Sequence, residues 1–76
     1  MTASDKYITV TTPKKMGAKI RKLREAKGVR QGELASRARI SREHLNRLEA
    51  GRYDPSVGTL TRIAKALGVP VTDLLE

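Results

Sequence analysis

Cysteine is absent from this 76-residue chain, and histidine occurs once, as His44. Without cysteine there are no disulfides, no thiolate nucleophile and no Cys-ligated zinc. A single histidine among scattered carboxylates leaves a metal site or a catalytic dyad short of members. A nuclease or deaminase would need clustered Asp, Glu, His or Cys, so no enzyme and no cofactor is expected. No apolar run approaches the ~20 residues of a membrane span. The opening MTASDKYITV lacks the basic and hydrophobic regions of a signal peptide. The expectation is a cytoplasmic, metal-free chain that does not enter a membrane.

What is present is positive charge, unevenly placed. The net charge is +8. Between Lys14 and Arg52 there are 13 Lys/Arg and 4 Asp/Glu, giving +9, whereas residues 53–76 sum to −1. The first thirteen residues are neutral, with Lys6 against Asp5. Such polarity suits a polyanion. Simple solubility is the plainer reading, and a membrane surface stays open on charge alone. The length fits one small domain, near the size where a single core just suffices.

Residues 1–12 read as an arm. Tyr7–Thr12 alternates, with Ile8 and Val10 on one face, which is the chemistry of a short strand. One strand cannot stand alone, so it pairs with something or stays a tail. Thr12-Pro13 reads as a helix N-cap followed by a first-turn proline.

Residues 13–76 read as five short helices and an all-α fold. The first runs from Pro13 to about Lys27, with Met16, Ile20 and Leu23 inward and Gly28 as its stop. The second, about 31–37, carries Leu34 and Ala35 inward, but Arg30 stands where a capping Ser, Thr or Asp is usual. The third, about 41–50, is capped by Ser41, stops at Gly51 and buries Leu45 and Leu48 together with Ile40. Ser56 caps a fourth, whose stripe is Val57, Leu60, Ile63, Ala64 and Leu67 up to Gly68. A last turn covers Val71–Leu75.

Two short helices joined by Ala38-Arg39-Ile40 cross steeply, as in a helix-turn-helix. In that motif the second helix enters the DNA major groove while the first lies across the backbone. Gln31, Leu34-Ala35, Ile40-Ser41, Leu45 with Leu48, and Glu49-Ala50-Gly51 fall at fixed spacings. With them the chain resembles the lambda-repressor-like (Xre/Cro) helix-turn-helix family, over about residues 13–76. Arg30 in the cap position and Gly32 inside the second helix depart from that pattern. The glycine costs ~1 kcal/mol relative to alanine.

The outward set of the third helix is Arg42, Glu43, Asn46 and Arg47. Arginine pairs bidentately with guanine and asparagine with adenine, while glutamate accepts from cytosine N4. The resemblance implies base contacts for Arg42, Glu43 and Arg47. Glu43 has an equal claim as a dipole partner at the helix start, and Asn46 is balanced between readout and a solvated face. For the DNA backbone the set is Arg30, Gln31, Ser41, His44, Arg52 and Tyr53, with Lys14, Lys15 and Arg39 adding charge. Tyr53 could equally cover the edge of the core. The resemblance gives Gln31 a phosphate contact and a buttress to Arg42, and pairs Arg24 with Glu49 between the first and third helices. The function expected is a sequence-specific double-stranded-DNA-binding transcriptional regulator, a repressor acting as a homodimer on a palindromic operator. The alternative is a toxin-neutralising antitoxin that binds a partner protein and represses its own operon. There the arm would add a strand to a partner's sheet edge. The last turn, with Val71, Leu74 and Leu75, is offered as the dimer surface.

Overall fold

The computed structural model describes residues 11–76. The strand expected in the arm lies at Tyr7–Val10, outside the described residues. Five helices follow: α1 (Pro13–Ala26), α2 (Gln31–Ala38), α3 (Arg42–Glu49), α4 (Val57–Leu67) and α5 (Thr72–Leu75). None is long and apolar enough to cross a membrane.

Local chemistry sets most of the boundaries. The Thr12, Ser41 and Ser56 hydroxyls each accept from the backbone N–H three residues on, at Lys15, His44 and Thr59. Each satisfies one of the N–H groups that a helix start leaves without a partner. Gly28, Gly51 and Gly68 follow α1, α3 and α4 with φ of 68°, 76° and 71°, the left-handed region that glycine enters without steric cost. α2 has neither device. Arg30 makes no side-chain cap, and Arg39 at its end holds φ 60° as a non-glycine residue. Its last turn is secured from elsewhere in the chain, because Arg62 of α4 donates Nε–H to the Ala38 carbonyl at 2.8 Å.

One core joins the helices. Ile20, Leu34, Leu45, Leu48, Ile63 and Leu74 are fully buried at its centre. Met16, Ala35, Ala38, Leu60, Ala64 and Leu67 complete it. α1 crosses α3 at Gly17, where an added Cβ would lie 2.2 Å from the Leu48 carbonyl oxygen and 2.8 Å from that of Glu49. The missing side chain is what lets the two backbones meet. α5 closes the base of α1: Thr11 N–H donates to the Leu75 carbonyl and the Lys19 ammonium to that of Glu76.

Three expectations change here. Ala38 belongs to α2 and, fully buried, to the core, not to the connection. Val57 is 79% exposed and leaves the α4 stripe. As the first residue of α4 it lies before the turn that meets the core, and buried Pro55 and Thr59 flank it instead. Leu74, offered as dimer surface, is fully buried in its own domain. Leu75 beside it is half-exposed and packs only partly against the core.

Candidate nucleic-acid interface

α3 divides its side chains sharply. Leu45, Leu48 and Glu49 are buried, while Arg42, Glu43, Asn46 and Arg47 are exposed together on the opposite side. The inward face anchors the helix to the core, so the outward four share one rigid platform. Arg42 and Glu43 occupy its first turn, where Glu43 also meets the positive end of the helix dipole.

Beside this platform α2 begins. Gln31, Arg42, Glu43 and Asn46 line a shallow groove between the two helices, and a second depression holds Arg30, Gln31, Gly32 and Arg42. Gly32, inside α2, borders this depression. A Cβ there would meet only the Arg42 side chain, at 4.0 Å, an ordinary van der Waals distance, so packing does not require glycine at this position.

Under the groove, Arg24 of α1 donates to both Glu49 carboxylate oxygens, Nε at 2.7 Å and Nη2 at 3.1 Å. Its third donor reaches the Val29 carbonyl at 2.9 Å. These side chains are only 11% and 4% exposed, so the bidentate pair sits where charge needs its partner. The hydrogen bond to Glu49 raises the Arg24 pKa above the usual arginine range; burial opposes it, and the Glu49 and Glu25 charges add to it. A raised pKa on a base contributes stability at every pH below its unfolded value. The pair's contribution through Arg24 is therefore lost only in strong alkali.

Gln31 does not buttress Arg42 as the resemblance implied. Its amide nitrogen donates to Glu49 Oε1 at 3.1 Å and to Asn46 Oδ1 at 3.4 Å, and no bond to Arg42 is made. Ser41 is exposed and serves as the α3 cap. His44 is half-buried, with its ring edge-on to Tyr53, centroids 4.5 Å apart and planes at 90°. Its Nε2 is buried without a hydrogen-bond partner among the described residues. Tyr53, 36% exposed, thus leans on α3 and links the turn after it to the recognition platform. Arg30, before α2, and Arg52, after α3, are both exposed, and the Arg52 N–H donates to the Arg47 carbonyl at 3.0 Å. Arg39, Arg62 and Lys65 lie together with Arg37 beyond the α2–α3 turn. Arg62 was not singled out by sequence reasoning. It lies on the polar side of α4, and no local pattern marks an arginine whose partner is a carbonyl 24 residues away.

Comparison with known proteins adds four likenesses to this geometry. The helix-turn-helix family model matches residues 20–74. The HTH-type transcriptional regulator DdrOP3 of Deinococcus deserti is 42% identical over 62 residues, which are 82% of this chain and 48% of that protein. The immunity repressor protein of Bacillus phage phi105 is 37% identical over 60 residues, 79% of this chain and 42% of the repressor. The chain thus spans a little under half the length of these two relatives. Among solved structures, the restriction-modification controller protein C.AhdI from Aeromonas hydrophila superposes with a TM-score of 0.81 at 30% identity. That superposition covers 83% of this chain and 96% of the other.

Proposed function

Because this chain belongs to the lambda-repressor-like helix-turn-helix family of transcriptional regulators, we propose that it reads double-stranded DNA in a sequence-specific manner and represses transcription from a palindromic operator. The observation that carries the reading is the division of α3. Four polar side chains of base-reading type, Arg42, Glu43, Asn46 and Arg47, are exposed on a helix whose other face is locked into the core. Such a helix fits the major groove with its N-terminal turn toward the base edges. Arg30, Arg52, Ser41 and the start of α2 flank it, as backbone contacts on either side of a groove require.

The repressor sense of the proposal draws on similarity to the phage immunity repressor. One domain of this size covers a short stretch of duplex, and a two-fold protein matches half-sites ~34–36 Å apart. Homodimeric action is part of the proposal for that reason. Selection of bound sequences from random duplex DNA tests it. The expected product is an inverted repeat with one helical turn between half-site centres, and recovery of unselected sequence would refute the reading.

A further inference from the structure

Among the described residues, Asn46 is the one groove-facing side chain of α3 with a hydrogen bond to another element, and that bond ends a chain of contacts starting in the buried pair. Arg24 has only donors to offer, and Glu49 as its carboxylate partner has only acceptors. The group that Gln31 turns toward Glu49 at 3.1 Å must therefore be its NH₂. The same NH₂ faces Asn46 at 3.4 Å, so the Asn46 atom that meets it must be the acceptor, Oδ1. With Oδ1 taken by Gln31, the NH₂ is the half of the Asn46 amide left free, on an exposed residue that lines the groove between α2 and α3.

From this polarity we infer that Gln31 is a positioning residue, and that Asn46 presents donors to the DNA and selects a keto base, guanine or thymine, at one position of each half-site. The inference rests on α3 being the DNA-reading helix. Guanine O6 and N7, and thymine O4, are major-groove acceptors with no donor beside them; cytosine offers only its N4 donor, and adenine sets its N6 donor beside N7, so an NH₂ from Asn46 finds an unopposed acceptor only on guanine or thymine. The familiar bidentate pairing of asparagine with adenine requires an outward Oδ1, which here is held by Gln31. The sense of the amide is set two residues away, by a charge pair that does not itself face the DNA.

The test is selection from random duplex DNA with the full 76-residue chain and three variants. Wild type is expected to enrich guanine or thymine at one position whose preference disappears in Asn46→Ala. Gln31→Met keeps the volume and removes the relay. It is expected to relax that same position by roughly three- to tenfold, the range of a single hydrogen bond, over and above any loss of affinity shared by all sequences. Asn46→Asp, a change at an exposed site that the fold tolerates, keeps an acceptor for Gln31 and turns a second acceptor outward. Its preference is expected to move to adenine or cytosine at that position. An amino base enriched by wild type there, or no position altered by Asn46→Ala, overturns the inference. So does a Gln31→Met that weakens all sequences equally, the behaviour of a phosphate contact. In each of these cases a selected motif is still recovered, so the DNA reading survives; loss of any motif in wild type refutes that reading and the inference with it.

Discussion

Arg42 and Arg47 are exposed on a helix whose inner face is buried, so removing either guanidinium leaves the fold intact. Arg42→Ala or Arg47→Ala should therefore cost ~1–3 kcal/mol on the selected site and relax preference at one base pair per half-site. Competition between cognate and mismatched duplexes measures this, and full discrimination by both variants would move the reading surface elsewhere. Arg39 makes an opposite case. It is exposed and sits at φ 60°, where a side chain costs roughly 1–2 kcal/mol. Glycine relieves that strain but gives back roughly 0.5–1 kcal/mol through the freer unfolded chain. Arg39→Gly should thus raise the melting temperature by a few degrees. A melt lowered by the substitution would mean that the arginine side chain contributes more than its backbone strain costs.

Gly17 sets two opposing effects against each other where helices cross. Within an isolated helix alanine is better than glycine by roughly 1 kcal/mol. At the α1–α3 crossing, however, its Cβ would fall 2.2 Å from the Leu48 carbonyl oxygen, a backbone atom that cannot swing aside. The helices would have to separate, drawing Arg24 off Glu49 as well. Overpacking of this kind costs ~1–3 kcal/mol or more, so the tertiary effect wins. Gly17→Ala should lower stability by at least about 1 kcal/mol in urea unfolding, and a more stable variant would show that α1 and α3 do not cross here.

At the scale of the molecule, the helical domain is closed by its own contacts: Thr11 and Lys19 hold the α5 end, and Leu74 is spent on the core. Removing residues 1–10 leaves all of these in place. Specific DNA binding should therefore persist in the shortened chain, with at most a loss of dimer affinity visible by sedimentation. Loss of dimers and of operator binding together would make the arm the main interface. If dimers form near α5, the half-exposed Val71 and Leu75 are the residues left to make them. The positive excess between Lys14 and Arg52 has its own consequence. Binding should weaken steeply with salt, with log K falling by about 0.9 for each phosphate neutralised per decade of salt. An affinity indifferent to salt would remove the backbone contacts from the account.

The order and ends of the helices were legible in the residues because capping is local. A threonine or serine reaches an N–H three residues on, and a glycine at the end needs nothing but its own φ. The inward stripes of α1, α2 and α3 and the polar face of α3 followed from the 3.6-residue period in the same way. Periodicity does not say where along a helix its neighbour begins, so Val57 read as core and lies in solvent, while Ala38 read as linker and is buried. Whether a helix has a free face depends on what stands opposite, which is why Leu74 could read as surface. Gly17, Arg62 and the Gln31–Asn46 contact are decided between elements 15 to 32 residues apart. A glycine, an arginine and two amides carry no local mark of such partners. The residues by themselves determined five helices, three of them capped, and the polar outer face of the third. Only the tertiary structure, by bringing Glu49 and its buried charge beside Gln31, decided which way the amide on that face points.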